Sequence, residues 1–445
     1  MSNDTVADPV DSGRPAGTTG PVRASRLAAI RSLLVLAISD PGQRVTTGLL
    51  VVTLGLVPVA LLPAESPIYA GITNATPTLY TFTLTLGLSS LLMVMLAGRR
   101  FRAGLLPWAP FLLWLLTLTV VAWGWSPRTV SGLLHLCLGA IAFAIGVAAH
   151  HQDRGGSALA WVFAAVAWVQ LGAIVAAVLG FPLREVTGAQ ALDVHGRATG
   201  LTSHPGELSK VLFFCGLCVL TLPQRTARER VAVWLTLGAV FVGTSLTQSR
   251  AVLAAVMAMI LISVLLELAG GRWQRKHFVI LGTTVVLGLA SLPWLINRFM
   301  ADPTGGARPH ITQVALSAIG DHPWAGVGPN GYVAVIGATD RLTETGVPVH
   351  NIFLLSAAEL GILGAVLLWL PFLVVAVRAI RRVRLSRGAD PTARVLVSAL
   401  PGIVLIGATG WGLLQGPYFL IFSLVMGYFG ARIGEPYAKR ADVRL

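Results

Sequence analysis

Residues 351–377 read NIFLLSAAELGILGAVLLWLPFLVVAV, and this stretch decides the fold class. Glu359 is its only charged residue, and the rest is dominated by Leu, Ile, Val, Ala and Phe. A helix needs roughly 20 apolar residues to cross the hydrocarbon core of a bilayer. The stretch is long enough for that and predicts a transmembrane helix.

The composition of the whole chain agrees with this interpretation. Of its 445 residues, 55% are hydrophobic and only 12% are charged, and the mean hydropathy is +0.74. A soluble domain has about twice that share of charged residues. The formal net charge of +14 could suit nucleic acid, but the basic residues lie in short clusters between apolar runs and form no single stripe. We therefore expect an integral membrane protein with no nucleic-acid partner.

The other apolar runs extend this prediction to an all-α, polytopic membrane protein. Their lengths predict about 12 transmembrane helices. The predicted spans are Thr46–Leu62, Thr78–Ala97, Leu105–Trp123, Thr129–Ala149, Ser157–Gly180, Leu208–Leu222, Val231–Leu246, Ala251–Ala269, Phe278–Ile296, Asn351–Val377, Val395–Leu414 and Pro417–Ala431.

The basic residues predict how these spans are oriented. With both termini in the cytoplasm, most of the 33 Lys and Arg residues fall on the inner side, as the positive-inside rule requires. The exceptions, all placed outside, are Arg128, Arg184, Arg197, Lys210, Arg250, Arg298, Arg308 and Arg341.

The chain also divides into a tail and a membrane domain. Residues 1–25 are rich in Asp, Gly, Pro, Ser and Thr and predict a disordered cytoplasmic tail. Residues 26–445 form the transmembrane domain, with long extracytoplasmic loops at 181–207 and 297–350. In the second loop, apolar residues recur at helical spacing between Pro309 and Asp321. They predict an amphipathic helix resting on the outer membrane surface.

Three outer arginines are candidate functional residues, because charge on that side serves no topological purpose and is costly near lipid. They are Arg197 in the first long loop, Arg250 at the mouth of the seventh and eighth spans, and Arg308 just before the amphipathic helix. A planar guanidinium binds phosphate oxygens in pairs, so a set of them suits a diphosphate. For each one, snorkelling or helix capping is the structural alternative.

His350, at the start of the tenth span, is a candidate proton acceptor. A neutral imidazole at the membrane interface can take a proton from an attacking hydroxyl near physiological pH. A hydrogen bond to the loop is the structural alternative. The spacing of the histidines resembles no zinc motif, and we expect no metal site. Cys215 and Cys218 form a CxxC inside an apolar run, where core packing is the favoured interpretation.

Residues 326–331 read GVGPNG, which has the letters of a dinucleotide-binding motif. The motif needs a preceding strand and a βαβ unit, and neither is predicted here. We interpret these residues as a tight turn that returns the loop towards the tenth span.

Taken together, these residues resemble the O-antigen ligase and polymerase family. The resemblance lies in GRATGLTSHP at 196–205, SR at 249–250, residues 308–328, HNIFL at 350–354 and ELG at 359–361. The pieces cover the middle and later parts of the chain. They also share one predicted side of the membrane.

The resemblance implies a metal-independent glycosyltransferase of the bacterial plasma (inner) membrane, with no cofactor. It implies transfer of a glycan from an undecaprenyl diphosphate carrier to the hydroxyl of a glycan, lipid or protein acceptor, as an O-antigen ligase or a polysaccharide polymerase. The implied catalytic residues are Arg197, Arg308 and His350, and the implied substrate-binding residues are Arg250 and Asn351. Arg250 then supplies supporting charge or positions the loop, and His350 acts as a base or orients the acceptor.

A multi-pass transporter or a flippase of lipid-linked glycans is the alternative from another class. Such proteins often share the number of spans and the cytoplasmic termini. Transporters, however, tend to place ionisable groups and broken helices near the bilayer midplane. In this chain Glu359 and Glu267 are the acidic residues within the predicted spans, and the three candidate arginines lie outside the spans on the outer side.

Overall fold

The computed structural model describes residues 98–435, with gaps at 154–156, 182–190, 193–195, 203, 223, 272–273, 302–305, 411–412 and 415. The predicted disordered tail and the first two predicted spans lie outside the described residues.

Helices make up most of the described chain. The first seven helices are α1 (Gly98–Trp123), α2 (Pro127–Gln152), α3 (Ala158–Val178), α4 (Pro205–Val219), α5 (Ala227–Leu246), α6 (Arg250–Ala269) and α7 (Arg275–Ala301). The remaining helices are α8 (Arg308–Asp321), α9 (Tyr332–Ile336), α10 (Arg341–Glu344), α11 (Ile352–Ser386), α12 (Pro391–Thr409) and α13 (Gly416–Gly434).

Every predicted span from Leu105 onward coincides with one of these helices. Within the described residues, seven helices are long and apolar enough to cross a membrane, namely α1, α2, α3, α5, α6, α11 and α12. The protein is therefore a mostly helical, polytopic membrane protein. The total of about 12 spans stays a prediction.

The structure shows secondary structure inside both predicted long loops. α7 continues through Asn297 and Arg298 to Ala301, into the range predicted as the second loop. Apolar residues flank these two polar ones, so the helical pattern is not interrupted. The loop at 181–207 contains a short antiparallel pair, β1 (Ala191–Leu192) and β2 (Ala198–Gly200), and this minor sheet departs from the all-α prediction.

The centre of the bundle is the contact between α2 and α13, which glycines bring close together. A side chain at Gly146 would collide with the backbone of Leu424, and one at Gly427 would collide with the backbone of Phe143. Small residues let transmembrane helices approach in this way. Cys215 and Cys218 are fully buried in α4, which confirms the prediction that they pack in the core.

The residues predicted to form an amphipathic helix form α8. Its position on the outer membrane surface stays a prediction. Its buried residues, including Ala315 and Ala318, pack against Leu355 and Ala358 of α11 and against Tyr332 of α9. The apolar face thus covers protein, because α11 presents an apolar surface of its own beside it. The face of α8 opposite this contact is exposed.

α11 is broken at Gly361, where φ is 72° and ψ is 168°. The chain from Pro323 to Gly328 docks into the break. Ile362 N–H donates to the Pro323 carbonyl at 2.8 Å, and the N–H groups of Val327 and Gly328 donate to the Ala358 and Glu359 carbonyls at 2.9 Å each. The prediction that GVGPNG is a turn leading back to this span is confirmed.

Glu359 holds the same turn with its side chain. Its Oε1 accepts from the N–H of Tyr332 at 3.3 Å, at the start of α9. From the other side, Trp123 Nε1 donates to the Ala325 carbonyl at 2.9 Å. The turn is therefore fixed between the end of α1 and the broken part of α11.

We predict that Gly361→Ala destabilises the protein by about 2 kcal/mol or more, because its backbone conformation is accessible essentially only to glycine. The added methyl group would also collide with the Trp324 carbonyl. The measurement is the midpoint of thermal unfolding in detergent. Gly172→Ala in α3 is the matched control, since an added methyl group there meets open space. Equal midpoints for Gly361→Ala and the unaltered protein would contradict the structural role of the break.

Candidate active site

The predicted site residues lie at the end of the bundle where α6, α8 and α11 begin and α5 ends. Arg250 is the first residue of α6, Arg308 is the first residue of α8, and His350 lies two residues before α11. Arg197 directly precedes β2, and Asn351 caps α11. The loop turn from Pro323 to Gly328 docks near the same end.

Arg197 is held against the end of α5. Its Nε and Nη2 donate to the Thr247 carbonyl at 3.2 and 3.1 Å. This is the helix-capping alternative, since Thr247 is the C-cap residue of α5. The contact places the guanidinium charge of Arg197 in the turn that leads from α5 to Arg250.

The turn between α5 and α6 is tight, and it presents Arg250 at a helix start. Gln248 has a positive φ of 56°, and the Thr247 hydroxyl accepts from the N–H of Ser249 at 3.3 Å. Arg250 itself is half-buried. Its charge adds to the partial positive charge that any helix carries at its N-terminus.

Arg308 is exposed at the N-terminus of α8, with Pro309 in the first turn. Proline is favoured there because the first N–H groups of a helix have no partner inside the helix. These free N–H groups and the guanidinium together make this helix end attractive to an anion.

His350 is half-buried beside two cations. Burial lowers its pKa first, and the positive charges of Arg308 and, more weakly, Lys210 lower it further, while a hydrogen bond with the Pro348 backbone opposes them. The physical cause is that each of these surroundings disfavours the imidazolium. These surroundings therefore favour the neutral form of His350, which is the form that accepts a proton.

The sequence interpretation gave Lys210 no role. It lies one turn into α4, where its Nζ donates to the Gly206 carbonyl at 2.9 Å and stands 5.7 Å from the centre of the Tyr418 ring. One feature of the sequence could have pointed to Lys210, because it is among the eight basic residues predicted on the outer side. It was missed because a lone lysine at the start of an apolar run is also typical of a span end.

Asn351 has a structural role. Its Oδ1 accepts from the N–H groups of Phe353 and Leu354 at 2.9 and 3.2 Å, so it caps the N-terminus of α11. Asparagine is among the preferred residues for such a cap. The cap fixes the backbone next to His350, and contact of Asn351 with a substrate stays a prediction.

Two other histidines of this end have structural partners. His204 Nδ1 accepts from the N–H of Gly206 at 3.0 Å and caps α4. His310 Nε2 lies 2.6 Å from Asp340 Oδ1, which ties α8 to the start of α10. Within the described part of the chain, no three His, Cys, Asp or Glu residues are grouped as a metal site would require.

The structure thus brings the predicted residues together in two groups. Arg197 lies with Arg250 at the turn between α5 and α6, and His350 lies with Arg308 and the additional cation Lys210. Several cations and a histidine at one end of the spans of a polytopic membrane protein suit an anionic ligand at that end.

Comparison with known families gives a match to part of the chain. Residues 209–369 match the model of the O-antigen ligase family. The resemblance seen in the sequence is confirmed over these residues, which include Lys210, Arg250, Arg308 and His350 but not Arg197. No curated protein matches the chain.

The O-antigen ligase domain implies a glycosyltransferase-like enzyme of a bacterial membrane. It also implies a lipid-linked glycan and an acceptor as substrates. Its matched segment begins in α4 and ends in α11, so it contains both the broken helix and the loop turn docked into it.

We predict that Lys210→Gln raises the pKa of His350, because removing a nearby positive charge makes the imidazolium less unfavourable. NMR titration of isotope-labelled histidine measures this, with the resonance assigned by its loss in His350→Asn. Arg341→Gln is the charge-matched control at an exposed position of the same loop, and it should leave the titration unchanged. A titration of His350 that is the same in Lys210→Gln and the unaltered protein would show that Lys210 does not act on it.

Proposed function

We propose that this protein transfers a glycan from an undecaprenyl diphosphate carrier to an acceptor hydroxyl at the extracytoplasmic face of the bacterial plasma membrane. Both termini then lie in the cytoplasm. The observation that carries the proposal is the position of His350 with the cations Arg308 and Lys210, at the end of the spans and within the residues that match the O-antigen ligase family. This arrangement pairs a proton acceptor with fixed positive charge.

The position of the site bears on the energy source. Outside the cytoplasm no nucleotide sugar is available, so the donor must carry its own leaving group. A lipid diphosphate supplies one, and its negative charge grows as the glycosidic bond breaks. Fixed guanidinium and ammonium groups stabilise that charge without reorganising during the reaction. In the proposed mechanism they fill the role that a divalent metal fills in other transferases.

The proposed step is a direct displacement. The acceptor hydroxyl gives its proton to the neutral imidazole of His350, and its oxygen attacks the anomeric carbon of the donor sugar. The bond from that carbon to the diphosphate oxygen breaks, and its electron pair leaves with the carrier. Attack from the side opposite the leaving group inverts the anomeric configuration.

The cations have separate roles in this mechanism. Arg308, assisted by Lys210, binds the diphosphate beside His350, and Arg197 binds it from the first loop. Arg250 supplies supporting charge and positions the turn that Arg197 caps. Because Arg197 also donates to the Thr247 carbonyl, its replacement should lower both the thermal stability and the transfer rate.

The break in α11 favours one alternative, a transporter or flippase of lipid-linked glycans, because broken helices often form the binding sites of transporters. Here, however, the Pro323–Gly328 segment of the same chain occupies the break and satisfies its backbone groups. Movement of labelled carrier across reconstituted vesicles without bond formation would favour the flippase and count against the transferase.

We predict that Arg308→Ala and His350→Ala each lower glycan transfer at least tenfold. For Arg308, losing one charge-assisted contact costs on the order of 1.5 to 3 kcal/mol, and 1.4 kcal/mol corresponds to a factor of ten in rate. For His350, losing a general base typically costs about 10²- to 10⁴-fold. Transfer is measured with purified carrier-linked donor and acceptor. Arg341→Ala, an exposed arginine of the same loop, is the control and should retain full activity. Full transfer by both Arg308→Ala and His350→Ala would refute the site.

A second prediction concerns the type of transferase. After deletion of the gene, surface glycans separated on a gel should lose the product of this enzyme. Loss of the long-chain ladder with single repeats retained identifies a polymerase, and accumulation of unattached long chains identifies a ligase. An unchanged pattern of surface glycans would contradict both.

A further inference from the structure

A cavity of about 660 Å³ lies between α1, α2, α11 and α13 at the other end of the bundle. Its position follows from the direction of the helices. α1 runs from Arg100 beside the cavity to Trp123, whose side chain holds the docked loop turn. α2 runs from Gly132, next to Pro329 of that turn, to His150 and His151 in the cavity wall. The cavity is therefore separate from the candidate active site.

One part of the cavity lining is an apolar wall and includes Phe143, Val147, Val374 and Val375. Small residues line the cavity as well, namely Ala103, Gly104, Gly430, Ala431 and Gly434. Val374 is 37% exposed, so this wall is also accessible from the outer surface of the bundle.

The rest of the lining, which we call the rim, carries charged residues and histidines. They are Arg100, His150, His151, Asp153, Arg378 and Glu435. The two acids among them already have partners. Glu435 lies 3.2 Å from His150 and 3.5 Å from His151. Asp153 Oδ2 accepts from the hydroxyl of Tyr428 at 2.6 Å and from the N–H of Ala158 at 2.8 Å. Both carboxylates therefore have partners within the protein.

The two arginines of the rim, Arg100 and Arg378, are exposed and project from different helices. Among the residues that the structure describes, neither guanidinium has an ion-pair partner. The positive charge of Arg100 also acts on His151, which places it close to the other basic groups of the rim. Two guanidinium groups that line one cavity suit the oxygens of a phosphate group.

We propose that this cavity binds an anionic glycerophospholipid, with the phosphate between Arg100 and Arg378 and an acyl chain along the apolar wall. Basic pockets between transmembrane helices are typical sites for anionic lipid headgroups. A free phosphate ion would leave the apolar wall without a partner, which is why a lipid fits better. The proposal does not depend on the proposed transferase activity.

The test measures lipid retained by the purified full-length protein. The protein is reconstituted in nanodiscs of phosphatidylcholine with a small fraction of phosphatidylglycerol, re-extracted in detergent, and the bound lipid is counted by native mass spectrometry. Arg100→Gln with Arg378→Gln should lower phosphatidylglycerol retention about tenfold, as expected for lost charge-assisted contacts. Arg102→Gln is the matched control, because this exposed arginine of the same helix does not line the cavity.

A second variant tests the apolar wall with both arginines intact. Val374→Trp fills this wall and should also lower retention of phosphatidylglycerol. The midpoint of thermal unfolding in phosphatidylcholine alone should be the same for all variants. A change in lipid retention then reflects the cavity and not a loss of folding.

Three results would overturn the proposal. One is equal retention by the double variant and the unaltered protein. Another is an equal loss of phosphatidylglycerol retention in Arg102→Gln, which would indicate that the lipid responds to the total positive charge of the protein and not to the cavity. The third is displacement of the lipid by millimolar inorganic phosphate together with undiminished retention in Val374→Trp, which would indicate a site for the free ion.

Discussion

The break in α11 at Gly361 is the constraint on which the rest of the functional end depends. A helix interrupted inside a membrane protein leaves backbone N–H and C=O groups that water cannot reach, and each must find a partner within the protein. Here the partner is the segment from Pro323 to Gly328. This segment is fixed, and therefore so are the elements on either side of it. α8, which precedes the segment, carries Arg308, and the chain that leads into α11 carries His350.

The same constraint explains why a long loop can hold a defined site. α8 and α9 pack on α11 through Ala315, Ala318 and Tyr332, so the loop has its own small hydrophobic cluster. Asp340 joins α10 to His310, and Asn351 starts α11 by capping it. The cation and the histidine are therefore held by a folded layer, and binding an anion between them does not require ordering a long flexible segment.

Much of the fold was predictable because a bilayer imposes a simple length rule. Every predicted span after Leu105 was confirmed as a helix, and the periodic residues after Pro309 correctly predicted α8. The sequence could not show where α8 lies, since an apolar face that suits lipid also suits α11. The β1–β2 pair escaped notice for a related reason, because strands of two and three residues are too short to show an alternating pattern.

The candidate site was predictable in part. Arg308 and His350 were selected from their side of the membrane and their residue type, and the structure places them together. Lys210 was missed because its proximity to His350 arises only when α4, α8 and α11 pack together, and the sequence does not show that packing. Arg197 and Asn351 cap helices through local hydrogen bonds. Their residue types allow such bonds, but the sequence alone does not show that these bonds form.

The glycine contact between α2 and α13 has a consequence for biosynthesis. α2 is among the earlier spans to leave the ribosome, whereas α13 is made some 280 residues later. Gly146 and Gly427 can meet only after residue 434 has been inserted, so the central helix pair closes late. Until then α2 must reside in the bilayer with its glycine-rich face turned towards lipid or another span.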